Sequence, residues 1–441
     1  MVSLALRLFR HHRGSAVATG LVAVTGMALV VAMAALLGTG LAGGTAAADR
    51  AFLVQFPLIM GGWVVAIVLF AMVSTIGVTL GGRAAEIRAL RLTGAEPRQV
   101  RVLVSVETLL VALVAAVPGL GAGYLLGALL MRAVRATGLI APVTVYAPGP
   151  VLPLGAVVVV LAAAALAAWL GSRAPAGASP VAAAEPAAVA RRSGRGRRVS
   201  AAVLLVAGAG SASAVFALPA DSIATTAMTG PATVLTAIGL AVLAPELLAA
   251  ANAVVRLAAP RSRGAGTYLA AVNLAAAPER TRPVVTFLTL LVGVSAGTLA
   301  MQGIENRHTA ADSVARVLAS INYFVVVLIA LFMAIALANN LIAALGRRRT
   351  EFAVLALLGS TGRQTRGMVL RETAVAALTA VFAAGAGALV CVVPFAVVKT
   401  GSAAAAFAAG PFLLSGALGL VVALVVTAVA GGRTIRAAAP G

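Results

Sequence analysis

Apolar runs of about twenty residues recur ten times along this chain, each long enough to cross a hydrocarbon layer of roughly 30 Å. Inside such a layer every backbone N–H and C=O must be satisfied by the protein itself, which leaves only helices or a closed barrel. The runs are rich in Ala, Leu, Val and Gly and lack the alternating pattern of barrel strands, so they predict helices. The expected fold class is an all-α polytopic membrane protein with about ten transmembrane helices. The spans are read at about 16–39, 57–82, 108–131, 151–171, 200–219, 230–255, 284–303, 319–346, 373–396 and 412–431. Basic residues before the first run and GTAAADR at 44–50 after it resemble a cleavable leader, but the run is longer than a leader's apolar core and is taken as a mature span.

A formal net charge of +21 would suggest a nucleic-acid partner in a chain without membrane spans. Here its distribution decides otherwise. With both termini placed in the cytoplasm, 27 of the 33 basic residues fall on that side, and only Arg50, Arg132, Arg135, Arg307, Arg316 and Lys399 lie outside. The charge therefore reports orientation in a lipid bilayer, and no nucleic acid is expected. The run RRSGRGRR at 191–198 reads as a solvated face turned to lipid headgroups. Cys391 is the single cysteine, so an intrachain disulfide is impossible.

Sliding the sequence on itself by 265 residues aligns 83–108 with 348–373 without a gap, and 11 of those 26 positions are identical. Chance matches in this composition would be Ala and Leu. Instead the pairs include Arg83/Arg348, Glu86/Glu351, Leu90/Leu355, Gly94/Gly359, Arg98/Arg363, Gln99/Gln364 and Glu107/Glu372. This marks an internal duplication. Each copy sits between its second and third spans, so the chain is read as a four-span repeat over 1–175, a basic linker with spans five and six over 176–262, and a second four-span repeat over 263–441. Because each half begins and ends on one side, the repeats are parallel, related by an axis along the membrane normal.

Each copy is expected to be a helix, a sharp elbow and a second helix that re-enters the membrane. The helix from Arg83 to Leu92 continues the second span, with Ile87, Leu90 and Leu92 packing while Glu86, Arg88 and Arg91 reach water or a partner. Gly94 and Gly359 supply the left-handed residue that stops a helix, and Pro97 suits the first turn of the next. A mere connector would need only polarity and turn residues. Two copies with shared Glu, Leu, Gly and Arg-Gln at fixed offsets point to two equivalent surfaces for a symmetric partner.

Chemistry of its own is hard to find in this chain. Lys399, the only lysine, stands in PFAVVKTGS without the glycines of a phosphate-binding loop, so the chain is no P-loop ATPase. His11, His12 and His308 flank spans and suggest neither a metal site nor a nucleophile's base. No catalytic, cofactor-binding or metal-binding residue is therefore assigned, and the chain is not expected to be an enzyme. Glu246, after Pro245, is read as the clear carboxylate within a span, with Asn252 six residues on, and Asn339 and Asn340 stand in the eighth span. These four are a possible intramembrane polar site. A secondary active transporter using Glu246 as its coupling carboxylate is the alternative function.

The duplicated segment, RAAEIRALRLTGAEPRQV in the first copy and RRTEFAVLALLGSTGRQT in the second, resembles the FtsX-like permease domain of MacB- and BceB-type ABC transporters. The second copy departs from that pattern at Phe352, Ala356 and Ser360. Weaker echoes are LALRLFRHHR at 4–13, VNLAAAPERTR at 272–282 and SPVAAAEP at 179–186. The large outer domain of those transporters is missing, since the loops at about 40–56 and 304–318 are short. The resemblance implies a permease subunit in a bacterial plasma membrane, one chain working with a dimer of a separately encoded ABC ATPase that carries ATP and Mg. It implies export or extraction of a hydrophobic or amphipathic substrate, or transmembrane mechanotransmission. The implied ATPase-coupling residues are Glu86, Arg88, Leu90, Arg91, Gly94, Arg98 and Gln99, with Glu351, Leu355, Gly359, Arg363 and Gln364 in the second copy.

Overall fold

A computed structural model describes residues 13–136, 138, 140–177, 186–258, 265–308 and 313–438. The stretches 4–12, 179–185 and 439–441, with His11 and His12, lie outside the described residues. All regular structure among the described residues is helical: α1 Arg13–Leu41, α2 Ala47–Gly82, α3 Ala84–Leu92, α4 Pro97–Ala136, α5 Val151–Gly177, α6 Pro186–Ser213, α7 Ile223–Val242, α8 Ala244–Ala258, α9 Ala265–Ala276, α10 Arg282–His308, α11 Ser313–Gly346, α12 Arg349–Leu357, α13 Gly362–Thr400, α14 Ala409–Val426 and α15 Gly432–Ala438. Ten of the described helical stretches are long and apolar enough to span a membrane.

The chain divides into two compact units, Met1–Val189 with Glu305–Phe332, and Ala190–Ile304 with Met333–Gly441. In the first unit α1, α2, α4 and α5 pack as a four-helix bundle. Lipid tails are as apolar as leucine, so hydrophobicity alone does not hold such helices together and close packing of small residues matters. Gly119, Gly123 and Gly127 form a stripe on α4 facing α1, where a Cβ on Gly123 would lie 2.4 Å from Val31 Cγ1 and one on Gly119 2.9 Å from Met27 Cβ. The backbones approach because those side chains are absent. In the second unit Gly293 and Gly297 stand on α10, where a Cβ would lie 3.0 Å from Ala237 Cβ and 2.6 Å from Thr233 Cγ2 of α7, with Ala384 and Ala388 of α13 in ordinary contact at 3.7 and 3.6 Å. The 265-residue offset maps Gly119 and Gly123 onto those alanines, so the glycine stripe of α4 is replaced by alanine on α13.

Helix α10 is the inner element of the second unit, with 94% of its apolar window buried. Its Met301 and Ile304 pack with Val392, Phe395 and Ala396 of α13, and a Cβ on Gly419 of α14 would collide with its Leu288. The sixth span departs from expectation. The sequence reading runs it over 230–255, but the helix spans Ile223–Val242, breaks at Leu243 and restarts as α8. Pro245, which has no N–H to give, fits only the first turn of a new helix. Ser222 starts α7 earlier than expected, its Oγ accepting the Ala224 N–H at 3.2 Å.

Helices α4 and α13 are single uninterrupted rods of 40 and 39 residues. At 1.5 Å per residue each is about 60 Å long, roughly twice the hydrocarbon thickness. Each therefore joins an elbow at its start to the opposite face of the bilayer.

Candidate functional site

The two elbows share one backbone design. In the first, the Gly94 N–H donates to the Arg91 carbonyl at 3.2 Å and the Ala95 N–H to the Leu90 carbonyl at 3.0 Å, with Gly94 at φ +97°. In the second, Gly359 donates to Ala356 at 3.0 Å and Ser360 to Leu355 at 2.9 Å, with Gly359 at φ +88°. These are paired bonds that close a helix end on a left-handed residue. The next helix is capped by the shared glutamines: Gln99 Oε1 accepts the Glu96 N–H at 3.0 Å, and Gln364 forms a capping box with Thr361. The Arg-Gln identity therefore has a local cause in its glutamine, while Arg98 and Arg363 remain exposed.

A carboxylate clamp braces each elbow. Arg83, at the break between α2 and α3, donates to Glu86 at 3.1 Å and reaches across to Glu107 on α4 at 2.7 Å. Arg348, at the break between α11 and α12, donates to Glu351 at 3.0 Å and to Glu372 on α13 at 2.6 Å. Both arginines lie 24 residues before their far partner. Burial works against the charge on both guanidiniums, and the paired carboxylates more than offset it, holding each above the ordinary arginine value. The clamp ties the short elbow helix to the long rod that follows it.

The second clamp is more elaborate. Asn273 Nδ2 donates to Glu372 at 2.7 Å, Arg280 donates to Glu351 at 2.9 Å, and the Arg348 guanidinium lies 5.2 Å from the centroid of Phe352. The stretch 272–282 thus braces the elbow through Asn273 and Arg280. Its first-copy echo, 4–13, falls almost entirely outside the described residues. Phe352, a departure from the first copy's pattern, is the floor under Arg348 and is buried.

Several expected roles change. Glu86 and Glu351 are not held out for water but are engaged by Arg83 and Arg348. Ile87 packs as expected, but Leu92 is 64% exposed, because the helix closes on Gly94 with its last turn beyond the bundle. Leu357, its counterpart, and Leu358 are 76% and 77% exposed. Both elbows therefore present apolar side chains at their tips. Arg91 turns back on its own elbow, donating to the Ala95 carbonyl at 3.2 Å, and the Arg88 side chain lies outside those described.

The four possible intramembrane residues do not form one site. Glu246 is outside the sixth span, on α8, where Arg197 and Arg198 donate to its Oε1 at 2.8 and 2.9 Å. Burial alone would raise its carboxyl, but these hydrogen bonds hold it below the ordinary value. Asn340 donates to the Ala336 carbonyl of its own helix at 2.8 Å. Asn339 Nδ2 and Asn252 Oδ1 are buried without a hydrogen-bond partner. Among the described residues the buried carboxylates are instead Glu107, Glu372 and Asp49. Glu107 and Glu372 are repeat identities, and their recurrence with Arg83 and Arg348 is the sequence signal for the pairs, whereas Asp49, which accepts from the Ala141 N–H and the Thr144 hydroxyl, carries no such signal. Among the described residues no group of three or more His, Cys, Asp or Glu could hold a metal ion.

Apolar helices in two units, each with a braced elbow and a long rod leading away from it, define an all-helical polytopic membrane protein. The family model described as FtsX-like permease C-terminal matches residues 58–180 and again 323–439, two matches that begin 265 residues apart. The chain belongs to the FtsX-like permease family. It is thereby a permease component of an ABC transporter, a non-catalytic transport subunit that pairs with an ABC ATPase. A search of curated proteins finds no match.

Proposed function

We propose that each elbow seats one subunit of an ABC ATPase dimer, so that one permease chain serves two ATPase subunits, with ATP and Mg held entirely by the partner. The observation that carries this is the duplicated clamp: two elbows, each with an exposed apolar tip and each locked by an arginine to a rod of about 60 Å. Positive-inside charge supports placing both elbows and both termini in the cytoplasm of a bacterial plasma membrane. The division into repeats at 1–175 and 263–441, joined by 176–262, belongs to this proposal, as does the MacB- and BceB-like layout.

Within each elbow the contact surface comprises Leu92 and Gly94 with Arg98, and Leu357, Leu358 and Gly359 with Arg363. Glu86, Leu90, Arg91 and Gln99, with Glu351, Leu355 and Gln364, shape that surface from within, and Arg88 belongs to the set by sequence. A push on an elbow passes through Arg83–Glu107 or Arg348–Glu372 into the rod and across the bilayer. The action there is export or extraction of a hydrophobic or amphipathic substrate, or transmission of a signal. The paired state of Glu246 lends no support to a proton-coupled carrier.

The test is the double variant Leu92→Asp with Leu357→Asp. Loss of ATPase co-purification from a chain that still inserts and melts as wild type is the expected result. Unchanged ATPase binding by that variant would overturn the docking surface.

A further inference from the structure

Beside the first elbow lies a groove of about 590 Å³ that shares only Arg98 with the proposed docking surface. Glu96, Arg98 and Arg101 supply its charged lining, and Val102, Val106 and Trp169 its apolar lining. The Arg101 Nε is buried and has no hydrogen-bond partner. Val102 is 45% exposed, and the α4 face beyond it, with Leu109, Leu113 and Val117, is also open. Trp169 is half-exposed in the last turn of the fourth span, where an amphipathic ring marks the boundary between headgroups and acyl chains.

The duplication provides an internal contrast. The counterpart of Arg101 is Arg366, which donates at 2.9 Å to the Ala428 carbonyl within the π-turn at Thr427–Gly431. The counterpart of Val106 is Arg371, so that part of the apolar lining is missing from the second copy. The groove there, lined by Leu370, Arg371, Ala374, Leu424, Val425 and Ala428, carries a single arginine and no aromatic residue. The first copy keeps its second-turn arginine open toward the groove, whereas the second copy ties its own off.

From these features we infer that the first-copy groove binds one anionic phospholipid of the elbow-side leaflet, its phosphate between Arg98 and Arg101 and an acyl chain along Val102, Val106 and Trp169. Two arginines against one glutamate leave a net positive lining, and the apolar residues continuing into the spanning part of α4 select a lipid over a free phosphate. Arg98 is shared with the docking surface, so the test rests on Arg101, which the docking proposal does not use.

The test uses Trp169 as reporter in the full chain reconstituted in vesicles, since Trp63, the other tryptophan, is buried and gives a constant background. Quenching by brominated phosphatidylglycerol should half-saturate at a lower mole fraction than quenching by brominated phosphatidylcholine. Arg101→Gln should weaken that preference about fivefold, as expected for one arginine at an anionic surface. Arg101→Lys should keep most of it and Arg366→Gln all of it. Equal quenching by the two lipids, or a preference unchanged in Arg101→Gln, would overturn the site. Reversal of the quenching by millimolar inorganic phosphate would assign the groove to a free anion and overturn the lipid.

Discussion

Arg348 donates to Glu372 at 2.6 Å with only 8% and 2% of their side chains exposed, and Arg83 repeats the bond to Glu107 at 2.7 Å with 15% and 11% exposed. Two copies of one sequence have thus kept the same long-range ion pair at the point where an elbow meets its rod. A buried pair is weak evidence for net stability, since well-packed apolar residues often do as well, but removing one partner strands the other charge. Glu372→Gln should therefore destabilise by about 3–5 kcal/mol. Glu107→Gln, in the wetter pair, should cost about 2 kcal/mol. Melting of the purified variants in one detergent checks the order, and equal losses would show that burial does not govern the clamp.

The elbow glycines offer a purely conformational test. A Cβ at Gly94 or Gly359 would meet nothing within 4 Å, yet both have φ near +90°. Gly94→Ala should cost about 1–2 kcal/mol from backbone strain alone, and Gly94→Asn less. If ATPase binding falls further in the alanine variant than in the asparagine variant, the turn's shape is part of the docking surface.

Packing in the first bundle predicts opposite signs at neighbouring glycines. Gly123→Ala brings a methyl against Val31 and should cost about 1–3 kcal/mol. The double variant with Val31→Ala should recover most of that loss. Gly121→Ala, with open space around it, should be neutral or gain about 0.5 kcal/mol from helix propensity. Melting temperatures of the three variants decide the matter, and a destabilised Gly121→Ala would contradict the assigned face of α4.

Glu246 gives the pH dependence. Its folded carboxyl is held below the ordinary value by Arg197 and Arg198, so its contribution to stability is fully present above the ordinary carboxylate range of about 4.3. That contribution is lost as the pH falls through the lowered folded value. Glu246→Gln should therefore be less stable than wild type at pH 7, with the gap closing on acidification below about pH 4. A gap independent of pH would mean the carboxylate's charge is not what α8 uses.

Much of this was legible beforehand. Ten apolar runs had to become ten helices, because nothing else satisfies the backbone in lipid, and the 265-residue repeat located both elbows down to Gly94 and Gly359. The sixth span was misjudged because the apolar residues of α8 continue those of α7; Pro245 and Glu246 were the signal that a new helix starts. The clamp was visible as identities but not as a contact, since a pairing 24 residues apart requires α3 to lie against α4. The exposed Leu92 ran against pattern reading, which sends apolar residues inward; an apolar tip left outside is what a partner surface looks like.

The most direct test of the coupling account is the number of ATPase subunits held by the chain. Solubilised gently from its native membrane and weighed by native mass spectrometry, the protein should carry two copies of a P-loop ATPase per permease chain. The Leu92→Asp, Leu357→Asp variant should carry none. An intact wild-type chain recovered without any ATPase would contradict the coupling role assigned to the two elbows.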